Sequence, residues 1–150
     1  MTLAALRETF PARASEWALA VILFLWSAVL AANPDLFVEG QSYRALAQIM
    51  GQDGWAFACL FIGGGRLIIL AINGAWRRSP HMRALGAFLS GLFWFLVSAG
   101  LLQSGAYNTG LAVYPVLFLL DAFNAIHAMN EAGRSDKIHG SRVARNGTHP

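Results

Sequence analysis

Four long apolar blocks, separated by polar segments, dominate the pattern of this chain. They cover residues 17–32, 55–76, 84–102 and 109–129. At about 1.5 Å of rise per residue, helices of these lengths match the roughly 30 Å hydrocarbon core of a bilayer. None of the blocks alternates apolar and polar residues as a barrel strand would. The pattern predicts an all-α integral membrane protein with four transmembrane helices.

The connecting segments predict how these helices are arranged. Only six or seven residues join the second block to the third and the third to the fourth. Connections this short place successive helices side by side in opposite directions. We therefore expect residues 1–129 to form an up-down four-helix transmembrane domain.

The first connection is longer, about twenty residues, and it contains a helical apolar pattern. Tyr43, Leu46, Ala47 and Met50 recur at the spacing of one helix face, and the opposite face is polar. This pattern predicts a short amphipathic helix at the outer interface. A role in capping the bundle is favoured over a role in binding a substrate.

The basic residues fall almost entirely on one side of the predicted bundle. Arg44 lies in the first connection and Arg66 within the second block. The other nine are Arg7, Arg13, Arg77, Arg78, Arg83, Arg134, Lys137, Arg142 and Arg145. Because cytoplasmic segments are enriched in Lys and Arg, this distribution predicts that both termini are cytoplasmic. It also accounts for the net charge of +3, and we expect no nucleic-acid partner.

The first block has an alternative interpretation as a cleaved signal peptide, with a cleavage site near residues 29–31. Its apolar run is slightly long for a signal peptide. Trp17 at its start is typical of an interfacial anchor, which favours a retained span.

Composition narrows the function classes. Of the 150 residues, 56% are apolar and 13% are charged, which argues against a soluble domain and against a disordered one. The single cysteine, Cys59, excludes a disulfide or a cysteine-based zinc site within one chain. No catalytic motif can be assembled, so we expect no enzyme, cofactor or metal site. The polar, basic segment 130–150 is predicted to be a disordered cytoplasmic tail.

Small residues in the second and third blocks predict close approach between helices. They occur as a glycine run and as pairs spaced four residues apart. The residues are Gly63, Gly64, Gly65, Gly86, Ser90, Ala87 and Gly91.

Two predicted spans carry an ionisable residue near their centre. Arg66 comes eleven residues after Trp55, and Asp121 comes twelve residues after Thr109. Both helices run from outside to inside in the predicted topology, so the two side chains reach similar depth. A lone charge at the centre of a span costs roughly 2.5 to 3.5 kcal/mol on insertion scales. We therefore predict an ion pair, and contact between the second and fourth helices.

Further polar side chains lie before and after the predicted pair, each three or seven residues from a neighbouring polar position on its helix. They are Asn73 on the second helix and Tyr114, Asn124 and His127 on the fourth. These intervals keep side chains near one helix face, so the sequence predicts a hydrogen-bonded network. One interpretation is that the network fixes helix register. The other is a proton or ion pathway, in which the glycine run and Pro115 interrupt their helices.

Several short motifs resemble small four-span membrane proteins encoded by phages and prophages of proteobacteria. They are Gly-Arg-Leu at 65–67, Ile-Asn-Gly at 72–74, Trp-Arg-Arg-Ser-Pro at 76–80 and Gly-Leu-Ala-Val-Tyr-Pro at 110–115, with Asp121 and Asn124. The resemblance covers about residues 17–129. It implies a bacterial inner membrane and a phage-linked role, and it transfers no catalytic residues.

Among phage membrane proteins, holins are small and oligomerise in the inner membrane, so holin-like self-assembly is the leading functional hypothesis. One alternative is a small channel or transporter centred on Arg66 and Asp121. Another is a membrane scaffold that holds a protein partner. The expected partners are the lipid bilayer and other copies of the chain.

Overall fold

The computed structural model describes residues 13–75, 79–105 and 107–146, and within these ranges the chain forms helices and no strand. Side chains are described in the same ranges except at 74–75 and 138–146. The predicted all-α fold is therefore confirmed for the described residues. The α-helices are α1 Ala14–Ala32, α2 Leu36–Glu39, α3 Arg44–Ile49, α4 Gln52–Ala75, α5 Pro80–Ser104 and α6 Gly110–Asn146.

The helices α1, α4, α5 and α6 are long and apolar enough to cross a membrane, as predicted. Two sequence signals set the limits of α5. Pro80 occupies the start of the helix, where its missing N–H group removes no helical hydrogen bond. Gly105 ends the helix in the left-handed conformation, with φ of 67°, which glycine adopts without steric cost.

The four long helices form a ring in which α4 and α6 lie diagonally across from each other. The most extensive contacts join α1 to α4 and α5 to α6, and contacts of α4 with α5 and of α1 with α6 close the ring. The expected contact between the second and fourth helices is therefore not made by helix-to-helix packing. A long side chain bridges α4 and α6 instead.

One glycine of the run in α4 permits close packing against α1. A Cβ atom at Gly63 would lie 2.7 Å from the backbone nitrogen of Phe24. At Gly64 it would make only ordinary contact with the Phe24 ring, and at Gly65 it would meet nothing within 4 Å. The predicted close approach is thus confirmed at Gly63 alone. The helix is continuous through the run, so the glycines do not interrupt it.

The first connection closes one end of the ring, but its buried face differs from the prediction. Ala45 and Leu46 are buried, whereas Ala47 and Met50 are exposed. The reason is that the chain forms a four-residue helix, a 3₁₀ turn at Gln41–Tyr43 and then α3, instead of one regular helix. Leu46 packs against Gly100 of α5, where a Cβ atom would lie 2.7 Å from the leucine Cδ2.

The helix α6 continues to Asn146, through most of the segment predicted to be disordered. Residues 130–146 contain no proline, and helix formers such as Ala132, Arg134 and Lys137 follow the span directly. Glu131 also forms an ion pair with Arg83 of α5, which anchors the first turn of this extension. Residues 147–150 of the predicted tail lie outside the described residues.

Candidate functional site

Arg66 of α4 and Asp121 of α6 form the predicted ion pair. The Arg66 Nη1 atom lies 2.6 Å from Asp121 Oδ1, and both residues are buried. The guanidinium group reaches Asp121 across the centre of the ring, because α4 and α6 are diagonal. Arginine can bridge this distance because its guanidinium group is carried on three methylene groups, which can pack along apolar neighbours.

The helix α5 provides the surroundings of this pair. Ser90 Oγ donates a hydrogen bond of 2.5 Å to Asp121 Oδ2, so both carboxylate oxygens have a donor. A Cβ atom at Gly86 would lie 2.9 Å from Arg66 Cγ, and one at Gly91 would lie 3.4 Å from Asp121 Cβ. The small residues predicted to permit helix packing therefore also make room for the two charged side chains.

At the ion pair and in the helical turns next to it, three buried donors have no hydrogen-bond partner within the part of the chain that the structure describes. They are Arg66 Nη2, Asn124 Nδ2 and Trp94 Nε1. Burying a donor without an acceptor costs about 1 to 3 kcal/mol. The indole of Trp94 lies edge-on to the rings of Trp26 and Phe93, and π faces are weak acceptors. No such contact is shown for the arginine or the asparagine.

The two asparagines of the predicted network form hydrogen bonds with groups outside the ion pair. Asn73 accepts a hydrogen bond from the backbone N–H of Ser79, which tethers the end of α4 to the start of α5. Asn124 accepts a hydrogen bond of 3.0 Å from Ser15 Oγ, which joins α6 to the first turn of α1. Both asparagines are buried. Each therefore links two helices, on the same side of the ion pair.

His127 and Tyr114 lie outside the predicted network. The His127 side chain is 59% exposed, because it is about 120° around the helix from Asp121 at 100° per residue. It stacks on Phe123 and lies 3.4 Å from a Glu131 carboxylate oxygen. Tyr114 instead stacks on Trp94, with ring centroids 5.6 Å apart.

A second cluster of charges, which the sequence analysis missed, surrounds Arg83. Its Nε donates to Glu16 Oε2 at 3.1 Å, and its Nη2 donates to the other oxygen of the same carboxylate. Its Nη1 donates to Glu131 Oε2 at 2.5 Å. Arg83 and Glu16 are buried, and Glu131 is partly exposed. This triad joins α1, α5 and α6 at what we call the Arg83 end of the ring.

The opposite end of the ring, which we call the Gly100 end, has an aromatic interior. Trp26 of α1, Phe93 and Trp94 of α5 and Tyr114 of α6 pack together, and their ring centroids are 5.3 to 6.0 Å apart. Trp55 of α4 joins this aromatic layer against Phe93 and donates from Nε1 to the Leu46 carbonyl. The aromatic layer thus lies beneath the capping segment formed by the first connection.

The order of these groups can be read along α5. Arg83 marks the triad, and Ser90 marks the ion pair about 10 Å further along the helix. Trp94 lies one turn beyond Ser90, and Gly100 contacts the capping segment. The buried ion pair therefore has charged and amide side chains on its Arg83 side and aromatic rings on its Gly100 side.

The outer surface of the ring is apolar and contains a groove between α5 and α6. This groove has a volume of about 460 Å³. Its small lining residues are Ala87, Gly91, Ala122 and Ala125, and larger side chains such as Phe88 stand at its edges. A helix of suitable shape can therefore approach the α5 and α6 backbones closely here.

The sites described above consist of ion pairs, hydrogen bonds and ring contacts. Among the described residues, no three His, Cys, Asp or Glu side chains are grouped to hold a metal ion. Cys59 is buried in α4. Comparison of the chain with family models, curated proteins and solved structures finds no match.

Proposed function

We propose that this chain is a multi-pass protein of the bacterial inner membrane with both termini in the cytoplasm. Four helices of the required length and hydropathy support it. The contacts of the triad at Arg83 also support it, because they bring the start of α1, the start of α5 and residue 131 of α6 to one end. That end is the one near which the basic residues cluster in the sequence.

Reporter fusions test this orientation. An alkaline phosphatase domain, which is active only outside the inner membrane, should be active when fused in the first connection near Gln48 or after Gln103. It should be inactive when fused after Ser135. A cytoplasmic fluorescent reporter should give the opposite pattern at the same three positions. Phosphatase activity at Ser135 would contradict the proposed topology.

We further propose that copies of the chain assemble side by side in the membrane, as holins do. The groove between α5 and α6 carries this proposal, because its small residues offer a close-packing site on the lipid-facing surface. An exposed aromatic ridge lies on another helix of the same molecule. Phe57 and Phe61 of α4 are 68% and 75% exposed, and their rings stack with centroids 6.4 Å apart.

A groove on one face and a ridge on another define a head-to-tail contact. Such contacts generate rings or open arrays, whereas a self-complementary patch would stop at a dimer. Extended arrays are the form of assembly that a holin-like protein needs in order to open the membrane. The buried charges of each bundle are neutralised within one chain, so assembly leaves them undisturbed.

Expression in a bacterial host tests the holin-like function. The chain should depolarise the inner membrane abruptly after a delay, and crosslinking in the membrane should yield species larger than a dimer. Ala122→Leu fills the groove and Phe61→Ala removes the ridge, so each should abolish both effects. Val113→Leu, at an exposed position of the same helix outside the groove, is the matched control and should behave as wild type. Normal growth at high expression with only monomer recovered would overturn the proposal.

A small channel or transporter is the second candidate, and one observation favours it. Arg66 and Asn124 have buried unpartnered donors beside an ionisable carboxyl group, which is an arrangement that a passing ion or water molecule can complete. The continuity of α4 and α6 weighs against this candidate. Neither the glycine run nor Pro115 interrupts its helix, although interruption was expected for a transport site.

A further inference from the structure

The two sides of the Arg66–Asp121 pair differ in their capacity to conduct water. Toward the Arg83 end, the interior contains the Asn124 amide hydrogen-bonded to Ser15, and then the triad. Toward the Gly100 end, the next layer contains only aromatic rings packed face and edge. A water molecule entering from the Arg83 end would meet hydrogen-bonding groups at the triad, at Asn124 and at the ion pair. One entering from the Gly100 end would have to cross the aromatic layer.

Two of the unpartnered donors lie where water from the Arg83 end would arrive, and the third, Trp94 Nε1, lies within the aromatic layer against the rings of Trp26 and Phe93. Arg66 Nη2 belongs to the pair itself, and Asn124 Nδ2 lies one helical turn from Asp121 toward the Arg83 end. Both residues are at least nine-tenths buried. Buried polar groups without a protein partner are usually satisfied by internal water, which exchanges through local opening of the structure. An acceptor is needed at both atoms, and a water oxygen meets that need without adding charge.

We propose that the Arg66–Asp121 site exchanges water and solutes of similar size with the Arg83 end of the bundle only, and that the aromatic layer closes it toward the Gly100 end. The access route passes Asn124 and opens when the contacts of Arg83 loosen. This inference goes beyond assembly and requires no transport. Only the identification of the Arg83 end with the cytoplasm rests on the orientation proposed above.

Two serines of α5 on either side of Trp94 provide a matched pair of probes. Ser90 is fully buried at the ion pair, and Ser98 lies two turns further toward the Gly100 end. In a Cys59→Ala background, we would introduce Ser90→Cys or Ser98→Cys, each of which changes one oxygen to sulfur. Silver ion, a small cation that binds thiolates, would be applied to one face of oriented vesicles. Thiols left free would then be counted with a maleimide after denaturation.

The expected result is loss of maleimide labelling at Ser90→Cys when silver is applied from the Arg83 end, and full labelling when it is applied from the Gly100 end. Ser98→Cys should not be blocked from the Arg83 end. Exposed positions fix the sides: Ser135→Cys for the Arg83 end and Gln103→Cys for the Gly100 end. If the controls show that the protein has the opposite orientation in the vesicles, silver must be applied from the other membrane face to reach the Arg83 end. Ser90→Cys should still be blocked from the Arg83 end only.

The aromatic layer is tested by adding Trp94→Ala to the Ser90→Cys variant. Silver should then block the thiol from both faces. If Ser90→Cys does not accumulate in the membrane, Asn124→Cys replaces it as the probe. Blocking from the Gly100 end in the presence of Trp94, or from neither face, would overturn the inference. Access that stays one-sided after Trp94→Ala and after Tyr114→Ala would show that the aromatic layer is not the closure.

Discussion

Arg66→Ala or Asp121→Ala alone should destabilise the bundle by roughly 3 to 5 kcal/mol. Either change removes one member of the buried pair at 2.6 Å and leaves the other charge without its partner. Among the described residues, Asp121 would keep only Ser90 as a side-chain donor, and Arg66 would keep no charged acceptor. The free energy of unfolding should be measured by titration with a denaturing detergent and followed by tryptophan fluorescence.

The control for this experiment is Arg44→Ala, which removes an exposed charge and should change stability by less than about 0.5 kcal/mol. The double variant Arg66→Leu with Asp121→Leu replaces both charges by apolar groups and should be less destabilising than either single change. Equal losses for Arg44→Ala and Arg66→Ala would contradict the importance of the pair.

The double variant also separates the two interpretations of the pair. A protein that folds and retains activity without the charges would show that the pair fixes the helix arrangement. A protein that folds but is inactive would show that the charges take part in function. The structural interpretation predicts the first result, because α5 surrounds the pair with glycine and serine positions suited to hold it in one geometry.

The long helices and the central pair were predictable because each follows from a strong constraint. A helix that crosses a bilayer must be apolar over about 20 residues, which leaves an obvious sequence pattern. Arg66 and Asp121 were predicted as a pair because two opposite charges at matched depth have few other solutions. Matched depth determines which side chains meet. It does not fix which helices pack together, and α4 and α6 lie diagonally as a result.

The triad was missed because Arg83 lies in a cluster of basic residues, which the sequence analysis assigned to a connection. The helix in fact begins at Pro80, so Arg83 lies on its first turn and points into the ring. A spacing signal was available on α6. Asp121, Asn124 and Glu131 follow intervals of three and seven residues, and Glu131 lies closer than His127 to the face of Asp121.

Arg83→Ala should be as damaging as the loss of a member of the central pair, at roughly 3 to 5 kcal/mol. Arg83 makes two hydrogen bonds to the buried Glu16 carboxylate and one to Glu131, so its removal takes two donors and a charged partner from the buried Glu16 side chain. Arg83→Lys keeps the positive charge, but an ammonium group cannot form the bidentate hydrogen bonds that the planar guanidinium group makes with the Glu16 carboxylate. This variant should therefore be more stable than Arg83→Ala and less stable than the wild type. Glu131→Gln should cost less than Glu16→Gln, because the Glu131 side chain is 43% exposed and water can replace its contact.

Arg134→Ala on the exposed face of α6 is the matched control for Arg83→Ala, and both can be measured by the same detergent titration. Each removes one basic residue from the proposed cytoplasmic side, so the positive-inside bias changes equally in the two variants. A stability loss confined to Arg83→Ala would therefore come from the buried contacts and not from altered insertion. If the two variants lost stability equally, the buried contacts of the triad would contribute nothing to stability beyond the effect of one positive charge on this side of the protein. In that case Glu16 and Glu131 would not hold α1 and α6 to the start of α5.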